Sequence, residues 1–211
     1  MRKPKEKIKL ETKKVYLGQY GGTEDETVIG EFETIENQHA KYANSIGSFM
    51  ISFAELEDAV DSSLATAINE RAYEPGYRVI KYLGFRDKIN LLYDCHSAYV
   101  RLLTSEASRL RLLGKLKILH NKLCELSEFR NKVTHANWQS LDVSGFVRTK
   151  VIENRDGVGM QLEKIKMTPS VLIKFRKQNE ALVNKMEVFI EKAEDAHSRE
   201  YSRIYKKISS R

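Results

Sequence analysis

The chain has 211 residues, of which 31% are charged and only three are proline. That length holds one good-sized domain with its own core plus an appendage, and the composition favours a helical soluble protein over a disordered one. No apolar run approaches the roughly 18–20 residues that span a membrane, and no apolar segment follows the basic start Met1-Arg2-Lys3-Pro4-Lys5, so neither a spanning helix nor a signal peptide is expected. The formal net charge of +7 suits a polyanionic partner without requiring one. Lysines crowd the start (Lys3, Lys5, Lys7, Lys9, Lys13, Lys14), and Arg199, Arg203, Lys206, Lys207 and Arg211 crowd the end. Cys95 and Cys124 have no metal-like spacing and read as reduced core thiols of a cytosolic protein.

Residues 1–33 lack helical periodicity. They pass from the lysines through Gly21-Gly22 to an acidic patch (Glu24, Asp25, Glu26, Glu31, Glu33), and are expected to form an extended or partly disordered arm. A long helix follows over about 34–72, with a seam of Ile46, Phe49, Phe53, Leu56, Val60 and Ala67, and Pro75-Gly76 is expected to end it. A second helix over about 83–104 carries Phe85, Ile89, Leu92, His96, Tyr99 and Leu103. A third runs over about 105–135.

Beyond Trp138 the period changes to two. Val147, Thr149 and Val151 alternate with Arg148, Lys150 and Ile152, Asn154-Arg155-Asp156-Gly157 supplies a turn, and 160–167 alternates again, as a β-hairpin requires. Thr168-Pro169 reads as an N-cap followed by proline at the first helical position. The last helix has Leu172, Phe175, Leu182, Met186, Phe189, Ala193 and Ala196 on its seam, interrupted by Asn179. The expected fold is all-α: a four-helix up-and-down bundle over 34–198 with a β-hairpin inserted near 144–167, then a basic tail over 199–211.

Several chemistries lack their motifs. There is no GxxxxGK[ST] phosphate loop, no HExxH, no CxxC and no GxSxG elbow, so no metal or cofactor is expected. His96 reads as a core histidine bonded to a neighbour, His120 as a flanking contact, and His39 and His197 as surface residues. Glu55 and Glu57 flank Leu56 and form a solvated edge unless one of them meets Arg130.

The third helix ends in Phe129-Arg130-Asn131-Lys132-Val133-Thr134-His135-Ala136-Asn137-Trp138. Its seam of Leu112, Leu116, Leu119, Leu123, Leu126 and Val133 extrapolates through Arg130, where a guanidinium is costly unless paired or lining a polar cavity. His135 supplies a side chain able to move protons near neutral pH. Asn131 and His135, four apart, share a helical face. Arg130 and His135, five apart, lie about 140° around an ideal helix. One chain therefore would not present both side by side unless the helix end is distorted, and a second copy of the motif, brought in by a symmetric partner, would solve the geometry.

Arg130-Asn131-x-x-x-His135 at the end of a leucine-rich helix resembles the hallmark of the HEPN superfamily. The stretches Phe49-Met50-Ile51-Ser52-Phe53-Ala54-Glu55-Leu56-Glu57 and Gly84-Phe85-Arg86-Asp87-Lys88-Ile89 look similar to such domains as well. The resemblance covers roughly 40–196 apart from the hairpin. It implies a metal-independent endoribonuclease of toxin or phage-defence type, dimeric, with both motifs facing one cleft and RNA as substrate. Arg130, Asn131 and His135 would be the catalytic set, Lys132 and Trp138 substrate contacts, and an antitoxin or regulatory protein a possible partner. Two rivals stay open: a silent HEPN-like module that binds RNA, nucleotide or protein, and a structural dimerisation protein in which Arg130 sits in an ion pair.

Overall fold

The computed structural model describes residues 10–17, 32–69, 73–153 and 160–209. It is mostly helical, with a small three-stranded sheet. In chain order the elements are β1 (Thr12–Leu17), α1 (Phe32–Ile68), α2 (Tyr73–Ile80), α3 (Phe85–Arg101), α4 (Glu106–Thr134), β2 (Phe146–Glu153), β3 (Met160–Lys166) and α5 (Pro169–Ser209), with a 3-10 turn at Trp138–Ser140. No described helix is long and apolar enough to cross a membrane. The chain divides into two compact units, one of Met1–Phe49 with Asn131–Lys174, the other of Met50–Arg130 with Phe175–Arg211.

The first unit is built on the sheet, whose order is β1-β3-β2 with both pairings antiparallel. The expected hairpin is present, but its turn residues, Asn154 to Gly157, lie outside the described residues, as do Gly21-Gly22 and Glu24, Asp25, Glu26 and Glu31 of the acidic patch, whereas Glu33 falls in the first turn of α1. Within the arm, expected to be extended or partly disordered, Thr12 to Leu17 are extended and pair with Ile165 to Met160 as a third strand, a pairing not expected from the sequence. The β2–β3 register shifts between Arg148 and Lys150, leaving Thr149 as the extra residue. A bulge of this kind moves every later side chain to the other face. Val147 is accordingly buried, while Val151, which shared its face in the plain alternation, is exposed.

Asp142 starts β2: its Oδ1 accepts the N–H groups of Ser144 and Phe146, both at 3.0 Å. Gly145, at φ +84°, completes this turn, and a Cβ there would stand 2.9 Å from Tyr42 Oη. Glycine is the residue that meets both demands. At the start of α5, Thr168 Oγ1 accepts the Val171 N–H at 3.4 Å and Pro169 is the first helical residue, as the Thr-Pro pair predicts.

The second unit packs the apolar stripes of five helical segments. Phe53, Leu56, Val60 and Leu64 of α1 are buried, with Ile89, Leu92 and Val100 of α3. On α4 the buried row is Leu112, Leu116, Leu119, Leu123 and Leu126, and on α5 it is Phe175, Leu182, Met186, Phe189 and Ala193. Each such side chain contributes roughly 1.5–3 kcal/mol when fully withdrawn from water. Asn179, fully buried on the α5 stripe, donates through Nδ2 to Ser52 Oγ at 3.0 Å, which offsets part of its desolvation.

Two local expectations are corrected in this unit. Pro75-Gly76 does not serve as a terminator; both residues lie inside α2. Proline at the third helical position removes no bond, because the first four N–H groups of a helix have no intrahelical acceptor. Gly76 lets α2 approach α1 closely, since a Cβ there would fall 2.5 Å from Ala65 Cα. Ala67, placed on the α1 seam by spacing, is exposed. In addition, α5 continues to Ser209, so most of the segment set apart as a tail is helix. Glu200 on that extension accepts the backbone N–H groups of Thr104 (2.8 Å) and Ser105 (2.9 Å), capping the start of α4. These bonds hold its carboxyl below the ordinary range.

Candidate functional site

α4 ends at Thr134, but the His135 N–H still donates to the Asn131 carbonyl at 3.0 Å, so His135 closes the last turn. Its side chain and that of Asn131 are exposed, and Lys132 is half-buried. Trp138, proposed above as a substrate contact, is half-buried and tied into the fold. Its Nε1 donates to the Val133 carbonyl at 3.0 Å, and its ring lies 6.0 Å from that of Tyr42. That indole satisfies one of the carbonyls every helix C-terminus leaves without an intrahelical donor.

The residues that follow are fastened to β2. The Asn137 N–H donates to the Arg148 carbonyl at 2.8 Å. Ser140 Oγ accepts the Arg148 N–H at 2.8 Å and donates to the Asn137 carbonyl at 2.7 Å. His135 therefore stands on a short bridge between a helix end and a sheet edge, with its backbone held on both sides. Asn137, Ser140 and Arg148 are the supporting residues that motif reasoning passed over. Only the two-residue period of β2 hinted at them.

Arg130 belongs to the other unit, and its position corrects the extrapolated seam. The buried row passes from Leu126 to Phe129 to Val133; Phe129 is 2% exposed and stacks on Phe175, with centroids 3.5 Å apart. Arg130 is thereby displaced to the flank of the stripe. It is half-buried, its Cζ 5.7 Å from the centre of the Phe53 ring, a cation–π arrangement. The charge of Arg130 reaches Glu57. Burial pushes the Glu57 carboxyl up, while Arg130 and then Lys88 pull it down, and Asp61 and Asp58 add to the rise. Lys88 is itself engaged, with Nζ 2.7 Å from Asp61 Oδ2.

The remaining histidines divide as follows. His96, 9% exposed, is a core histidine hydrogen-bonded to Ser63, with Oγ and Nε2 3.1 Å apart, as its place on the seam predicts. His120 is a flanking contact, its Nε2 3.0 Å from Asn90 Oδ1. His39 is exposed. His197 departs from the surface expectation: it is half-buried, donates through Nε2 to the Tyr99 carbonyl at 2.9 Å and lies at a tilt against the Tyr99 ring, with centroids 4.0 Å apart. Both cysteines are free thiols, pushed up mainly by burial. Among the described residues no three His, Cys, Asp or Glu side chains gather as a metal site would require. Compared with protein-family models, curated proteins and solved structures, the chain matches none.

Proposed function

We propose that the chain is a metal-independent endoribonuclease of toxin or phage-defence type. In this reading it acts in the cytoplasm as a homodimer, with an antitoxin or regulatory protein as a possible further partner. The fold assigned with it is a four-helix up-and-down bundle of HEPN type carrying the sheet as an insertion. The observation that carries the reading is the exposed His135–Asn131 pair on the last turn of α4, one residue past Arg130 and braced by Trp138 and the sheet. Solvent access and a fixed backbone are what a proton-transferring histidine needs.

RNA carries its own nucleophile in the 2′-hydroxyl. In the proposed step the 2′-oxygen attacks the adjacent phosphorus and the 5′-oxygen leaves. His135 of one subunit accepts the 2′ proton or protonates the departing oxygen. Arg130 binds the phosphate and offsets the charge growing on its oxygens, and Asn131 orients the imidazole. The products are a 2′,3′-cyclic phosphate and a 5′-hydroxyl. Arg130 and His135 point about 140° apart on one ideal helix, so two copies are needed to complete the site.

Incubation of RNA with the protein in excess EDTA, with end-group analysis, tests this. Cleavage to cyclic-phosphate ends is expected. Activity that vanishes in chelator and returns with magnesium or manganese would sink the mechanism. Light scattering should give about twice the 24.4 kDa chain mass, and a strict monomer removes the composite site.

A second reading is favoured by one feature. Arg130 pulls the Glu57 carboxyl down, and the guanidinium lies over Phe53, as a structural arginine would be held. The chain would then be a silent module of the same fold that binds RNA, nucleotide or a protein. It would retain binding with no His135-dependent cleavage.

A further inference from the structure

The second unit contains a cavity of about 730 Å³ lined by α1, α2, α3 and α5. That volume lies inside the range of sites that enclose a small molecule, roughly 300–1,000 Å³. Its buried side carries the hydrogen-bonded pair Ser63 and His96. Burial holds the His96 imidazole below its ordinary range, so the ring is neutral near pH 7 and offers one donor and one acceptor. The rings of Tyr73, Tyr77 and Tyr99 and the side chains of Met186 and Ile190 form the body of the wall.

Charge selects the ligand. The chain as a whole carries +7, yet the charged residues lining this cavity are Glu187 and Glu194, with no lysine or arginine among the described lining residues. Those two glutamates are seven residues apart on α5, with Ile190 between them, so all three lie along one stripe of the helix. Both are exposed, which makes them the rim, while Ser63 and His96 are buried. An anion entering here would meet two carboxylates and a neutral imidazole. A cation would meet two carboxylates and the rings of Tyr73, Tyr77 and Tyr99, a residue type that attracts ammonium groups.

We propose that this cavity binds a small amphipathic amine, its ammonium group at the acidic rim that Glu187 and Glu194 provide and its apolar or aryl body against the tyrosines. A second polar group on such a ligand would reach Ser63 and His96. The site lies wholly within the second unit and does not depend on the reading of His135.

Calorimetry on the full chain with three probes sharing one body, 3-phenylpropylamine, 3-phenylpropan-1-ol and 3-phenylpropanoate, tests the proposal. The amine should bind most tightly, the alcohol more weakly and the carboxylate not measurably. Replacing both rim acids, Glu187→Gln with Glu194→Gln, should cost the amine roughly five-fold in affinity, in keeping with exposed ion pairs, and leave the alcohol unchanged. Filling the cavity by Ala59→Trp should remove amine and alcohol binding together. Ala67→Trp, at an exposed lining position, serves the same purpose should the first variant fail to fold. Three results overturn the proposal: no saturable binding of the amine at low-millimolar concentration, equal binding of the carboxylate, or amine affinity indifferent to all these substitutions.

Discussion

His135 and His96 are the same side chain in opposite settings. His135 closes the exposed last turn of α4, its backbone braced but its imidazole open to water. His96 sits in mid-helix, 9% exposed, bonded to Ser63 and edge-on to Phe189. Burial disfavours the charged form of His96 and lowers its pKa from the ordinary value. The difference separates an imidazole that solvent reaches from one that is part of the packing.

The largest expected effect lies on the exposed side. His135→Ala should lower RNA cleavage on the order of 10²- to 10⁴-fold, the usual contribution of a general acid–base group, with the far-UV CD spectrum and melting temperature barely changed. His96→Ala should do the reverse, lowering the melting temperature and sparing cleavage. If the two variants exchange these behaviours, the contrast is wrong. Next in size is Phe129→Ala, which removes the stacked partner of Phe175 and should cost about 3–5 kcal/mol by denaturant titration. Asn131→Ala, two positions on and exposed, should stay within about 0.5 kcal/mol.

A pH titration sharpens the same contrast. Because His96 is held below its ordinary value of 6.5 in the folded chain, the unfolded state binds its proton first as pH falls. Its contribution to stability is therefore complete above that value and is lost as pH drops from there toward the folded pKa. The melting temperature of His96→Gln should fall less steeply over that window than that of the parent; parallel curves would show that His96 contributes nothing. A modest effect is expected of Trp138→Phe. Loss of the bond to the Val133 carbonyl should cost about 1 kcal/mol while RNA affinity holds. A loss of affinity at unchanged stability would instead return Trp138 to the substrate surface.

Local signals were legible in the sequence, and non-local ones were not. The α4 stripe, the Thr168-Pro169 start of α5 and the alternation of β2 and β3 each follow from neighbours within a few residues. Lys13, Lys14 and Val15 carry no such signal; they form a strand only because β3 offers an open edge. Pro75-Gly76 misled because a proline in a first turn and a proline after a last turn look alike without their partners. At the site, the identities and spacing of Arg130, Asn131 and His135 could be read directly. The displacement of Arg130 by Phe129 could not, since adjacent residues compete for one stripe and only packing decides between them.

The sheet order has a consequence for the order of events during synthesis. β3 is the central strand, yet it is the last of the three to be made. Thr12 pairs with Ile165, so β1 must wait for about 150 further residues, roughly 8–30 seconds at ribosomal rates of about 5–20 residues per second. Throughout that interval β1 is without its partner strand, whereas β2 is made only a few residues before β3; an unpaired strand edge is the kind of surface on which nascent chains aggregate. The lysines of Thr12–Leu17 put like charge on the strand that waits longest, which discourages premature pairing between neighbouring nascent chains.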